Sequence, residues 1–277
     1  MNMLDLLNNS ISYIEENLME EIDYQELARI ACCSEHHFKR VFSFIAGISV
    51  SEYIRRRRLT LAALEIKRGN VRVLDIAVKY GYNSADSFSR AFQALHGVTP
   101  TLAKENEVPL KAFPRMAFQI AIKGDVEMNY RFVEKEAFTI VGMKETVHSA
   151  GNHFQPKLWD EIDGPRYKQL EKLANTEVPG ILHATVSKSQ DTIDYYIAVV
   201  TNVECPKEFT KLEIQKQTWA VFEAVGPMPE TMLTTWERIY TEWFPNSGYE
   251  LADAPELVRE ADNDDSKQEI WIPIVKK

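Results

Sequence analysis

Cysteine is scarce in this 277-residue chain, with three in all. Cys32, Cys33 and Cys205 have neither the spacing of a zinc site nor the even number of a disulfide framework. A reduced, cytosolic compartment is therefore expected, and adjacent Cys32 and Cys33 read as two small buried residues. Long apolar runs are also missing: the longest resemble residues 195–200, far short of the ~18 residues of a membrane span. The N-terminus has no basic start and meets acids early, so no signal peptide is expected. His37, beside His36, has no ligand partner at i+4, and no Ser-His-Asp or Cys-His pattern stands out. The sequence thus predicts no metal, no cofactor and no catalytic residue. With 45% hydrophobic and 26% charged residues, the chain is too apolar to be disordered, and its length suits two domains.

Charge is unevenly spread beneath the net value of −9. Residues 1–33 carry one base against seven acids, residues 34–104 carry twelve bases against five acids, and residues 113–277 account for −9. A block of +7 is the electrostatic unit that matters for nucleic acid, whatever the overall sign. The acidic remainder would be repelled by DNA, so only residues 34–104 are expected to touch it.

The first 105 residues have helical periodicity almost throughout. Leu6, Leu7, Ile11, Ile14 and Leu18 mark the first helix, and Asp23 is placed to cap a second over 25–31. Ser34 is placed to cap a third that carries Phe38, Val41, Phe42 and Ile45 and stops at Gly47. A long helix over Val50–Arg68 follows, then helices over 73–80 and 84–96. An internal repeat lies here. Ser34, Phe38, Arg40, Phe42, Gly47 and Ile48 return fifty residues later as Ser84, Phe88, Arg90, Phe92, Gly97 and Val98. A short helix precedes each copy, giving two helix-turn-helix patterns. The 19-residue helix between them would be roughly 28 Å long, setting the two Ser-preceded helices about one DNA turn apart, near ~34 Å.

Residues 23–104 resemble the AraC/XylS double helix-turn-helix domain. The resemblance rests on Ile76-Ala77, Gly81-Tyr82-Asn83-Ser84, Phe88-Ser89-Arg90-Ala91-Phe92 and Gly97-Val98-Thr99-Pro100. Leu102-Ala103-Lys104 departs from the Tyr-Arg often found near the end. The resemblance implies a DNA-binding regulator that works with RNA polymerase, as monomer or homodimer. Carried over by position, Ser34, His36, Lys39 and Arg40 in the first copy and Ser84, Ala85, Asp86, Ser87 and Arg90 in the second face DNA. Arg and Lys suit guanine edges or phosphates. Arg40 and Arg90 have a structural alternative, a bond to a neighbouring helix. Of Arg55-Arg56-Arg57-Arg58, one or two, Arg55 among them, would meet phosphate and the others are solvated or paired with acids such as Glu52, since four consecutive helical residues point around the helix.

From about residue 116 the period changes to two. Alternation at Phe118, Ile120 and Ile122, a turn at Gly124-Asp125 and alternation over 128–134 predict a hairpin. Strands are expected over 138–147, 181–187, 192–201, 212–225 and 269–275, with a weaker one near 249–258. Helices are expected over 156–173 and 229–244. The order β-α-β-β occurs twice, suggesting two pseudo-repeated halves. The predicted fold is therefore multidomain: an all-α double helix-turn-helix domain (1–105), a linker (106–113) and an α+β domain (114–277).

This second part resembles the GyrI-like effector-binding domain. The resemblance is carried by Trp219-Ala220-Val221-Phe222, Gly226-Pro227, Trp236, Tyr240, Trp243-Phe244-Pro245, Ser247-Gly248-Tyr249-Glu250 and Pro273. It implies a site for a bulky aromatic or lipophilic small molecule, with Trp159, Glu161, Tyr196, Trp219, Glu223, Trp236 and Val258 as candidate ligand residues. All five tryptophans follow residue 150. Aromatic walls with a few acids can hold a cation, though Trp236, Tyr240 and Trp243 at helical spacing also suit a core. Val258 stands where many family members have glutamate, so the ligand is neutral or another acid (Glu256, Glu260, Glu223, Glu161) takes that role. The same valine disfavours the alternatives of a small-molecule hydrolase using a carboxylate base. Sequestration of a ligand without an effect on DNA binding is the remaining alternative.

Overall fold

A computed structural model describes residues 3–69, 71–105, 107–119, 127–148, 154–176, 180–189, 192–261 and 264–277. The chain forms two compact units, Met1–Glu35 with Val50–Ala121, and His36–Ser49 with Ile122–Lys277.

In the first unit, α1 (Met3–Glu16), α2 (Tyr24–Ile30), α4 (Val50–Arg68), α5 (Val73–Lys79) and α6 (Ala85–His96) are followed by a 3-10 turn at Leu102–Lys104. Asp23 accepts hydrogen bonds from the backbone N–H of Gln25 (2.8 Å) and Glu26 (3.3 Å), satisfying two otherwise orphaned donors. Leu59, Ala62, Ala63 and Ile66 of α4, three and four residues apart, pack on Ile76, Tyr80, Phe88 and Phe92. The cysteine expectation is corrected: Cys32 is exposed and Cys33 half-buried. Cys32 has φ +53, because the backbone turns out of α2 there and carries the side chain to the surface.

The arginine run is mostly structural. Arg55 and Arg56 pair with Glu52. Arg58 donates to the Leu18 and Glu20 carbonyls. Arg57 makes a bidentate pair with Glu15 (both 2.8 Å) and also donates to the Phe113 carbonyl (2.6 Å). Tyr53 donates to the same carboxylate at 2.6 Å and accepts from the Met116 N–H. Burial alone would raise the Glu15 pKa, but the bonds from Arg57 and Tyr53 outweigh it and hold it below the ordinary 4.5. The expected linker is thus docked: Phe113 joins the first unit's core, its N–H bonds Thr60, and Asn8 bonds Phe118 in both directions. Glu15→Ala, which strands a nearly buried guanidinium, is expected to cost about 3–5 kcal/mol. Arg55→Ala should cost at most about 1 kcal/mol. Urea unfolding followed by far-ultraviolet circular dichroism checks both. A Glu15→Ala loss no larger than that of Arg55→Ala would contradict this account.

The second unit holds α3 (Glu35–Ala46) from residue 36 onward and a nine-stranded sheet. The strands are β1 (Tyr130–Lys135), β2 (Phe138–His148), β3 (Leu182–Ser187), β4 (Thr192–Val200), β5 (Thr210–Ile214), β6 (Gln217–Val225), β7 (Tyr249–Leu251), β8 (Glu256–Ala261) and β9 (Asp264–Lys276). Their order is β1-β6-β9-β8-β3-β4-β2-β5, with β7 beside β9. Each side of the β8–β3 pair repeats one pattern, β8-β9-β6 and β3-β4-β2, as two β-α-β-β halves require. Between β2 and β3 lie a 3-10 helix (Lys157–Glu161) and α7 (Pro165–Glu171); between β6 and β8 lie α8 (Glu230–Arg238), a π-helical turn (Ile239–Trp243) and α9 (Phe244–Ser247).

Several expectations change; the weaker strand near 249–258 is two strands, β7 and β8, with residues 252–255 between them. The strand over 212–225 is two strands, with Gln215 and Lys216 between them. The helix over 156–173 breaks at residues 162–164, where Asp163 has φ +64. The hairpin turn at Gly124-Asp125, with Ile120 and Ile122, lies outside the described residues, and Phe118 is not in a strand.

Side chains alternate along strands, so register sorts them onto two faces. Met143, Ile197, His183, Val258, Ile270 and Phe222 share one face through successive cross-strand partners. Both helical segments cover it, Leu158 and Leu170 over the first half and Trp243 against Phe222 (5.1 Å) over the second. The other face carries Ile140, Ala184, Tyr196, Ala198, Trp219, Val221, Leu257 and Trp271 as a separate core built from strands alone.

Candidate DNA-reading helices and effector site

Helix α6 is built as a presented helix. Ser84 caps it, its hydroxyl accepting from the Ser87 N–H at 3.1 Å, and Gly97 ends it at φ +81, which favours glycine. Phe88, Phe92 and Leu95 bury one face. By helical geometry this leaves Ser84, Asp86 and Arg90 exposed and Ser87 half-exposed.

Helix α3 has the same sequence frame but a different setting. Ser34 is exposed, His36 and Lys39 are half-buried and His37 is buried. Within the second unit, Arg40 makes a bidentate pair with Glu256, Nε to Oε1 at 2.7 Å and Nη2 to Oε2 at 2.5 Å. Tyr240 donates its hydroxyl to the same carboxylate at 2.9 Å. The guanidinium carbon lies 5.7 Å from the Tyr240 ring centre and 5.9 Å from that of Trp236. Phe44 stacks on Tyr240 at 4.8 Å. His37 accepts the Leu251 N–H at 3.0 Å through Nδ1 and meets Phe244 edge-on at 4.8 Å. Burial pushes the His37 pKa down to about 3. Burial disfavours the Arg40 cation, but the Glu256 carboxylate more than compensates, so its pKa is raised. Burial and the same carboxylate raise that of Tyr240.

The sequence-named ligand residues divide between the two faces. On the helix-covered face, Trp159 Nε1 donates to the Tyr195 hydroxyl at 3.0 Å, and that hydroxyl bonds His183 Nδ1. His183 pairs across the strands with Val258, and Thr185 with Glu256. A strip of Trp159, Tyr195, His183 and Val258 therefore runs along the junction of the halves toward Glu256, Tyr240 and Trp236. Burial drives the His183 pKa down to about 4 and raises that of Tyr195 to about 12, so both are neutral at pH 7. Glu161 is paired with Arg166 at 2.9 Å. Tyr196, Trp219 and Glu223 lie on the opposite face. The expected ligand residues are thus not all brought together, because odd–even alternation sends residues 219 and 222, or 195 and 196, through opposite sides of the sheet. Tyr196 and Trp219 are core there, and Glu223 pairs with Lys267 at 3.3 Å. Trp219 Nε1 is a buried donor without a partner. His183, Tyr195 and Phe44 were missed by sequence reasoning. Knowing Val258 and its cross-strand partner would have found His183; no sequence pattern marks Phe44. Among the described residues, no group of three or more His, Cys, Asp or Glu is placed to hold a metal, and no helix is long and apolar enough to cross a membrane.

A repeated helix-turn-helix sequence beside a pseudo-symmetric sheet domain with an aromatic junction defines a class of protein, one that joins a DNA-binding part to a small-molecule-binding part. Residues 128–275 match the family of the GyrI-like small molecule binding domain, and residues 27–106 match a helix-turn-helix domain. The HTH-type transcriptional activator AarP of Providencia stuartii is 37% identical over 97 residues, 35% of this chain and 72% of that protein. The PqrA protein of Proteus vulgaris is 32% identical over 104 residues, 37% of this chain and 85% of that protein. A solved protein from Staphylococcus aureus MU50 is 22% identical with a TM-score of 0.47, covering 53% of this chain and 99% of that one. The chain belongs to the AraC-type helix-turn-helix regulators that carry a GyrI-like domain: it is a DNA-binding transcription regulator with a ligand-binding domain.

Proposed function

We propose that this regulator senses a bulky aromatic or lipophilic small molecule on the junction strip, acts on promoter DNA together with RNA polymerase, and does so without catalysing a reaction. The observation that carries the effector class is the line of side chains from exposed Trp159 over buried Tyr195 to half-buried His183 and Val258, ending at a carboxylate already engaged by Arg40. An apolar floor with few polar groups orients a ligand by shape and burial. Glu161 and Glu256 are both ion-paired, which leaves neither poised as a general base.

Genomic-fragment selection with the purified chain, then footprinting of the best-bound fragment, tests the DNA reading. A protected stretch of about two helical turns is expected if both copies dock. Affinity should fall with salt at a log–log slope of about −0.9 per phosphate neutralised. Arg90→Ala is expected to weaken binding by roughly 1–3 kcal/mol. Unchanged affinity in that variant would remove α6 from the interface. For the effector, tetraphenylphosphonium and neutral triphenylphosphine oxide can be titrated against tryptophan fluorescence. Saturable quenching that Trp159→Ala abolishes supports the strip, and quenching unaffected by that change places the ligand elsewhere.

A further inference from the structure

We propose that Glu256 holds the first helix-turn-helix copy in reserve by capturing Arg40, so that DNA and Glu256 compete for one guanidinium. This rests on the DNA-reading role proposed above for α3 and α6.

His37, Arg40 and Phe44 lie three and four residues apart, on one face of α3. All three are engaged within the second unit, by the Leu251 N–H, the Glu256 carboxylate and the Tyr240 ring. The chain contains its own control. Fifty residues on, the equivalent positions are Ser87, Arg90 and Ala94, of which Arg90 and Ala94 are exposed. Both copies keep the arginine. Only the first flanks it with an imidazole and a benzyl ring that seat it against a carboxylate. A helix needed for packing alone would have no use for a cation at the centre of that face.

The pairing is also the one a phosphate would offer. A guanidinium presents a planar fork, and Glu256 takes the Nε–Nη2 edge in two short charge-assisted bonds. Side-chain exposures of 18% for Arg40 and 7% for Glu256 leave that edge no room for a second anion. Glu256 and Val258 are two apart on β8 and share a face. A molecule resting on Val258 would therefore lie beside the captured arginine, and any coupling between it and DNA would be reciprocal.

The test compares full-length Glu256→Gln with the wild type on the selected genomic fragment at fixed salt. The DNA Kd is expected to fall roughly ten- to a hundredfold, the range charge-assisted hydrogen bonds are worth. That gain should vanish when Arg40→Ala is added. Phe44→Ala loosens the seat while leaving the ion pair's own groups in place. It should shift affinity the same way, by several-fold, and it replaces Glu256→Gln if that variant loses native tryptophan fluorescence. Failure of both variants to tighten binding, or tightening that persists without Arg40, overturns the proposal. Arg90→Ala separates the two levels. If it weakens binding while Glu256→Gln changes nothing, DNA reading stands and capture fails. If it too changes nothing, the DNA-reading role fails and the capture proposal falls with it.

Discussion

Gly142→Ala is expected to disrupt the second unit, at or above the ~3 kcal/mol upper end of ordinary overpacking. Gly142 lies in β2 directly opposite Ala198 of β4. A Cβ there would sit 2.2 Å from the Ile197 carbonyl oxygen and 2.6 Å from the Ala198 Cα. Both are backbone atoms of a paired strand and cannot rotate away. Relief requires parting β2 from β4, which would loosen the buried Ile140, Val141 and Met143 from their partners Val200, Val199 and Ile197. All five tryptophans lie beyond residue 150, so their fluorescence reports this unit. The expected result is a urea midpoint well below wild type by fluorescence, with the helical signal of the first unit retained. A midpoint within experimental error of wild type would show that the strands have slack the packing does not suggest.

Acid should weaken the same unit before any carboxylate in the ordinary range is protonated. His37 and His183 are held by burial at about 3 and about 4, against an ordinary value near 6.5. The unfolded chain therefore takes up protons first as pH falls, and stability rises with pH in this window. The full contribution is present above about 6.5 and drains away as pH drops toward the folded values. Between the two limits each histidine contributes up to about 1.4 kcal/mol per pH unit. Both imidazoles are neutral and hydrogen-bonded in the structure: Nδ1 of His37 accepts the Leu251 N–H, and Nδ1 of His183 is bonded to the Tyr195 hydroxyl. Urea midpoints at pH 7.5, 6.0 and 5.0 should fall steadily, and His183→Asn should remove a large part of the slope. Midpoints that stay flat from pH 7.5 to 5.0 would show that protonated histidine is tolerated at both places. Below that range, Glu15, Asp194 and Glu269, each lowered by ion-pair or hydrogen-bond partners that outweigh burial, lose their contributions in turn.

Much of this protein was legible without coordinates because the signals are local. A Ser-capped helix, a glycine stop and apolar residues three and four apart are short-range consequences of helix geometry. The fifty-residue repeat merely prints that geometry twice. Helix α4 matches its expected bounds, Val50–Arg68, and Asp23 and Ser84 cap as their side chains suggest. The doubled β-α-β-β order likewise follows from elements that alternate in period. Where the reading failed, a turn was hidden inside a continuous apolar pattern, as at Gln215 and Lys216, or a helix broke at a residue with positive φ, as at Asp163.

By itself, then, the sequence determined the family, the fold class, most of the elements and the outward face of α6. Tertiary structure decided which face of the sheet each strand residue occupies, separating Trp219 and Tyr196 from Trp159 and Val258. It also decided that Arg40, alike in motif to Arg90, meets a carboxylate 216 residues away. The physical reason is common to both. Helical period and capping are fixed within a few neighbours along the chain, whereas strand register and the pairing of a buried charge are set by partners distant in sequence, where a shift of one residue reverses the face and changes the partner.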